Sequence, residues 1–249
     1  MNLLKKKKET SGENNILLLR STINTKYNIK EKLVIFKSDN SRLDKSQVSY
    51  TGKLSINPFD LDLMIYLDNY RISKLFNSKP ILIELIKSQL LFNDNISVNS
   101  SIIVKSNIRN EIFHNGKINF DIINGQINFN KTKFTNDDIG SIQLNNSNLF
   151  YKNNNLMFNG NLLIDITNSE NLFSLLNTNR SSRKFFKSIL IKFDYNFLTN
   201  KVKFNNLKID NKDVNSQFLS IIDGFNINNF DNLNKSRRLF NELLKAYVG

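Results

Sequence analysis

An apolar residue at every second position recurs along most of the chain and constrains the fold more than any other feature. The runs 59–67, 118–122 and 189–197 carry aliphatic or aromatic side chains at alternate positions, with polar residues such as Asp60 between them. A period of two is typical of a strand with one buried face. The sequence therefore predicts a mainly β protein built from many half-buried strands.

Helical spacing of apolar residues interrupts this alternation in the middle of the chain. It predicts a helix over 71–77, a second over 80–92 with a proline in its first turn, and a third near 168–178. Asn168 or Ser169 can cap the third helix. Because helices do not alternate regularly with strands, a parallel α/β fold is not expected.

The predicted architecture is an extended, curled, groove-like antiparallel β-meander. It carries helical insertions near 71–92 and 168–178 and ends in an amphipathic helix. Residues 1–15 are predicted to be a disordered basic N-terminus, 16–232 the sheet domain, and 233–249 the C-terminal helix. A closed barrel and a sandwich remain open as alternatives.

Two local signals add detail to the predicted sheet. Asn124 and Gly125 lie between two apolar runs, which indicates a tight hairpin. The alternation changes phase between Phe204 and Leu207, which indicates a β-bulge.

The C-terminal segment has one apolar and one basic side. The apolar side is formed by Leu239, Phe240, Leu243, Leu244 and Tyr247. Such a helix can close the open end of a sheet, or it can lie on a membrane surface with its apolar side in the headgroup region. Both interpretations remain open from the sequence.

Positive charge is concentrated in separate parts of the chain. The net charge is +13, of which residues 1–37 contribute +6, 179–203 contribute +6 and 232–249 contribute +3, whereas 38–178 are neutral and 204–231 contribute −2. Such clusters suit anionic lipid headgroups or phosphate backbones. The alternative is a solvated surface without a partner.

The residues that usually carry catalysis are scarce. The chain has no cysteine and a single histidine, His114, next to a turn. The pair Asp137 and Asp138 lacks the spacing of a calcium loop, and no phosphate-binding or nucleophile motif occurs. We therefore expect neither an enzyme nor a metal or other cofactor.

The apolar faces of the strands are built from bulky side chains that suit either a filled core or a groove for acyl chains. The candidate lipid-binding residues are Ile118, Phe120, Ile122, Ile127, Phe129, Leu162, Ile164, Ile166, Ile189, Ile191, Phe193, Tyr195 and Phe197. The candidate contacts to headgroups or other anions are Arg180, Arg183, Lys184, Lys187, Arg237 and Arg238. Nucleic acid is the less favoured partner, because Phe193 and Tyr195 are in phase with the apolar residues and so do not form a separate stacking surface.

The segments Tyr50–Leu63, with its Asn57-Pro58-Phe59-Asp60 sequence, and Leu239–Gly249 resemble the C-terminal region of AsmA-like proteins. The resemblance implies an envelope protein of Gram-negative bacteria with an N-terminal membrane helix and a long periplasmic β-sheet curled into a groove. It also implies a role in moving phospholipid between the two membranes or in outer-membrane biogenesis. This chain departs from that pattern, since it contains no run of about 20 apolar residues and no signal peptide after Met1.

The leading functional hypothesis is a non-enzymatic, AsmA-like segment that binds or transfers phospholipid along an apolar β-groove. Its partners would be phospholipid or a membrane surface, with envelope proteins as further candidates. If the chain is a fragment of a longer anchored protein, its expected location is the periplasmic side of the inner membrane, and otherwise it is the cytosol. The alternatives are a structural or protein-interaction module of the envelope and a nucleic-acid-binding protein.

Overall fold

The computed structural model describes residues 9–77, 88–108, 111–153, 155–199, 201–214, 216–223 and 233–247. The chain is mainly β, as predicted, with fourteen strands in the described residues and predominantly antiparallel pairing. It divides into two compact units, Met1–Asn128 and Phe129–Gly249. The domain division predicted over 16–232 and 233–249 stays a prediction.

In the described part of the first unit, eight strands follow one another in sheet order. They are β1 (Glu9–Leu18), β2 (Ser21–Lys30), β3 (Leu33–Leu43), β4 (Ser46–Ile56), β5 (Phe59–Asp68), β6 (Ile96–Lys105), β7 (Asn115–Ile123) and β8 (Gln126–Asn128). All neighbours pair antiparallel except β5 and β6, which are parallel. The antiparallel expectation is therefore wrong at this one pair. Parallel neighbours need a long crossover connection, and residues 69–95 are long enough to provide one, whereas a short turn is not.

The connection between β5 and β6 contains helix α1 (Ile72–Asn77), which confirms the helix predicted over 71–77. Of the helix predicted over 80–92, residues 80–87 lie outside the described residues. The described end of that segment forms a 3₁₀ turn, Leu90–Phe92.

The predicted disorder of residues 1–15 is wrong for 9–15, and residues 1–8 lie outside the described part. Residues 9–15 belong to β1, where Glu9 to Leu18 pair without interruption with β2. Side-chain contacts across the pair support this strand, since the amide of Asn28 donates to the Glu9 carboxylate at 2.8 Å and Lys26 lies 3.3 Å from Glu13. The polar residues 9–15 are extended because the neighbouring strand β2 provides partners for their backbone and side chains.

The predicted hairpin at Asn124-Gly125 is confirmed by the pairing of Ile122 with Ile127. Both turn residues have positive φ, 50° and 69°, as the tight turn type between twisted strands requires. Register places Ile118 beside Ile102, and Ile122 beside Val98. The four candidate residues of this unit, Ile118, Phe120, Ile122 and Ile127, therefore share one face of its sheet.

The described residues of the second unit form six strands and three α-helices. The strands are β9 (Thr132–Asn136), β10 (Gly140–Lys152), β11 (Asn155–Ile166), β12 (Ser188–Asn196), β13 (Lys201–Ile209) and β14 (Lys212–Asp213). The helices are α2 (Ser169–Leu175), α3 (Ser216–Asp223) and α4 (Leu233–Ala246), and a 3₁₀ turn lies at Arg180–Ser182. Consecutive strands pair antiparallel throughout this unit.

Helix α2 confirms the predicted insertion near 168–178. The side chain of Asn168 accepts a hydrogen bond from the backbone amide of Asn171 at 3.1 Å and so caps its first turn. Phe173 on this helix is fully buried in the main core cluster of the unit. Among the described residues, no helix has the length and apolar character needed to cross a membrane.

Candidate functional site

One face of the sheet in the second unit forms an apolar wall. Register aligns Leu162 with Ile191 and Ile164 with Ile189, so these four side chains point to the same side of β11 and β12. The neighbouring strand β10 adds Ile142 opposite Ile164. Because residues that pair across strands share a face, the alternation in three sequence segments becomes one continuous surface.

The bulge predicted in β13 extends this wall. Lys192 pairs with Asn206 and Phe193 with Phe204, so Asn205 is the extra residue of the bulged strand. The extra residue brings both Phe204 and Leu207 to the apolar face, which regular alternation would not allow.

Helices α3 and α4 cover part of the wall. Phe218 and Ile222 of α3 and Leu239 and Leu244 of α4 are buried. Phe218, Ile222 and Leu244 pack with strand residues in one cluster. Leu243 is half-buried against the same cluster. Of the two interpretations of the C-terminal helix, this burial agrees with closing the end of the sheet.

Side chains of α4 hydrogen-bond to the carboxyl end of α2. Arg237 donates from Nε to the Leu175 carbonyl at 3.1 Å, and Asn241 donates from Nδ2 to the Leu176 carbonyl at 3.2 Å. The last carbonyls of a helix have no partner within it, so these contacts satisfy them. They also fix α4 in position along the sheet.

Between the wall and the helices lies a cavity of about 460 Å³. Its described lining consists of Ile142, Leu162, Ile164, Leu176, Phe186, Ile189, Ile191, Phe204, Leu207, Ile209, Phe218, Ile222, Leu239, Phe240, Leu243, Leu244 and Tyr247. Every one of these residues is aliphatic or aromatic. The volume falls within the range of small-molecule sites, roughly 300–1,000 Å³. Apart from the Tyr247 hydroxyl, the described walls carry no polar side-chain group to hold water, so the cavity suits an apolar ligand.

The structure brings only four of the candidate lipid-binding residues into the cavity, Leu162, Ile164, Ile189 and Ile191. Ile166 belongs to the buried core cluster. Of the aromatic candidates in the second unit, Phe193 and Tyr195 lie further along the same face. These two, Phe129 and Phe197 all contact other rings. These contacts are Phe129 with Phe158 at 5.7 Å, Phe158 with Phe193 at 5.9 Å, and Tyr195 with Phe197 at 4.5 Å.

Tyr195 is the titratable group of this aromatic row, and burial raises the pKa of its hydroxyl above the ordinary value of 10.0. Its side chain follows the phase of Ile191 and Phe193, so it lies on the apolar face rather than among the cations. Phe193 and Tyr195 therefore belong to the apolar face, whereas Phe185, among the basic residues, is exposed.

Three of the six candidate anion contacts make contacts within the protein. Arg183 lies 2.6 Å from the Glu170 carboxylate, donates to the Thr178 carbonyl, and stands over the Phe173 ring. Arg237 bonds to the end of α2, as described above. Arg238 pairs with Glu242 one turn along α4, at 2.9 Å.

The remaining three, Arg180, Lys184 and Lys187, are exposed. They flank Phe186, which is buried and lines the cavity. The exposed cations therefore lie on the same short segment as a residue of the cavity wall.

Most of the residues that line the cavity were not among the predicted lipid-binding residues. Phe204 and Leu207 could have been assigned to the cavity face from the sequence, because the change of phase between them indicates the bulge that brings both to one face. Phe218 and Ile222 lie in a segment, 215–230, whose pattern is ambiguous between helix and strand. No protein-family model matches the chain, and no curated protein or solved structure shows significant similarity to it.

Proposed function

We propose that the second unit is a non-enzymatic lipid-binding module that holds an acyl chain in the cavity beneath α3 and α4. The observation that carries this function is the wholly apolar character of the described lining around about 460 Å³. An acyl chain gains free energy there by leaving water, at about 0.8 kcal/mol per methylene group.

The volume favours one chain rather than two. At about 30 Å³ per heavy atom, the share of one water molecule in the liquid, a cavity of about 460 Å³ accommodates roughly fifteen carbon atoms. One long acyl chain fits this limit, and the paired tails of a phospholipid exceed it. A diacyl lipid would place its second chain elsewhere, and the row of Phe158, Phe193 and Tyr195 on the same face is the surface available for it.

The basic segment next to Phe186 is suited to the polar end of such a ligand. Arg180, Lys184 and Lys187 are exposed, so a carboxylate or phosphate can meet them while remaining in water. In this arrangement the ligand is bound non-covalently and is not altered. This agrees with the passive phospholipid binding or transfer that an AsmA-like envelope protein would perform.

The experiment is a titration of the full chain with the fluorescent fatty acid cis-parinaric acid. Ile164→Phe narrows the cavity, whereas Leu163→Phe places the same ring on the opposite face of the same strand. We expect saturable binding to the wild type and to Leu163→Phe, and at least about tenfold weaker binding to Ile164→Phe, the loss of affinity that about two buried methylenes would cause. Far-UV circular dichroism checks that both variants are folded.

Equal binding by the two variants, or none by the wild type, would exclude an acyl-chain site in this cavity. A structural or protein-interaction module with a filled core would then be the better description.

A further inference from the structure

The turn between β1 and β2 in the first unit exposes four consecutive aliphatic side chains. Their exposed fractions are 49% for Ile16, 74% for Leu17, 56% for Leu18 and 109% for Leu19. Leu19 and Arg20 form the turn itself. Exposed single leucines are common on proteins, but a contiguous group at a projecting turn usually marks a site of interaction.

The backbone at this turn makes the choice of leucine more unusual. Leu19 has φ of 52°, in the left-handed region that costs an ordinary side chain roughly 1 kcal/mol. The described non-glycine residues with positive φ are otherwise polar, and most of them are asparagine or aspartate. Folding alone would favour one of those residues at position 19, so a property other than stability is needed to explain leucine.

Cations surround the exposed leucines. Arg20 follows them directly. In the adjacent β3–β4 hairpin, Arg42 lies at the end of β3 and the turn carries Asp44 and Lys45. The two turns are joined, because the backbone amide of Asp44 donates to the Ser21 hydroxyl at 3.2 Å. At the tips of these two hairpins, Arg20, Arg42 and Lys45 therefore outnumber the one acid, Asp44.

We propose that this end of the first unit is a membrane-contact site, in which residues 16–19 enter the headgroup region of an anionic lipid bilayer. Their side chains bury apolar area there, while Arg20, Arg42 and Lys45 meet lipid phosphates. Interfacial binding of this kind scales with buried apolar area plus attraction to anionic lipid. The inference rests on residues of the first unit and is independent of the cavity in the second.

The geometry favours a bilayer over a protein partner. The leucines project from a two-residue turn and are exposed on several sides, which suits a fluid medium that surrounds them. A protein surface would cover one side of such a turn and leave the others in water.

The chain contains no tryptophan, so one tryptophan introduced by substitution serves as a fluorescent probe of its own position. Leu17→Trp is compared with Leu198→Trp, because Leu198 has the same exposed fraction of 74% and lies in a turn of the second unit. With vesicles of phosphatidylcholine and phosphatidylglycerol, the fluorescence of Leu17→Trp should shift to the blue and that of Leu198→Trp should not. A shift of both probes, or of neither, would overturn the proposal.

Affinity is then measured by co-sedimentation of the otherwise unmodified chain with the same vesicles. Leu17→Ser should weaken binding roughly tenfold and Arg20→Gln roughly fivefold, and Leu198→Ser should leave it unchanged. Leu19→Asn is the sharpest variant, because asparagine tolerates positive φ and the fold should be at least as stable while vesicle binding falls.

Two results of these measurements contradict a membrane contact. One is equal binding by Leu17→Ser and Leu198→Ser. The other is self-association of the wild type in sedimentation velocity that Leu17→Ser abolishes, without any binding to vesicles. The second result would assign the same leucines to a contact between copies of the chain.

Discussion

Truncation of Leu244 tests directly whether the cavity beneath α4 is empty in the free protein. Leu244 lines the cavity and is 4% exposed, whereas Leu149 in the same unit is 2% exposed and is not among the cavity's lining residues. A Leu→Ala change in a packed core costs about 2–5 kcal/mol, depending on how many contacts are lost. A side chain that faces a void has no partner atoms on that side, so its loss costs less.

We therefore expect Leu244→Ala to lower the free energy of unfolding by about 2–3 kcal/mol and Leu149→Ala to lower it by about 3–5 kcal/mol. The assay is native-state hydrogen exchange with mass spectrometry, read on peptides that cover β11 and β12. These strands belong to the same unit as both leucines, so their opening free energy reports the stability of that unit by itself.

Addition of a long-chain fatty acid supplies the second part of the measurement. A ligand at a hundred times its dissociation constant stabilises the folded state by about 2.7 kcal/mol, and the wild-type peptides should show this added protection. If Leu244→Ala costs as much as Leu149→Ala, Leu244 is packed on all sides and the reasoning about the void is refuted.

Two further changes test the packing and the electrostatics of the sheets. Gly52→Ala should destabilise the first unit by about 1–3 kcal/mol, seen as faster exchange in β4, because a Cβ there would lie 2.9 Å from the backbone carbonyl of Asp62 and against the Phe36 ring. Burial raises the pKa of Tyr195, so the folded state keeps its proton more tightly than the unfolded chain. The stability from this residue should be complete below pH 10 and should decline as the pH rises above it, and Tyr195→Phe should remove that part of the decline in a pH series of urea unfolding.

The sequence by itself determined the elements that depend on local pattern. Alternation assigned strands such as β5, β7 and β12, Asn124-Gly125 located a hairpin, and the phase change before Leu207 located a bulge. The apolar side of α4 identified the residues that are buried there. These predictions succeeded because a strand or helix with one buried face must repeat apolar residues at its own period.

Tertiary structure decided what depends on neighbours that are distant in sequence. Residues 9–15 are extended because β2 supplies partners for a polar strand, and β5 pairs parallel with β6 because the connection is long enough to cross over. Tertiary structure also decides which charged side chains have partners within the protein. Arg183 and Arg237 hydrogen-bond to backbone carbonyls, while Lys184 and Lys187 are exposed. The cavity also depends on tertiary structure, because its described walls come from four strands, two helices and the segment that follows α2. The space between these elements is set by packing distances that no local pattern contains.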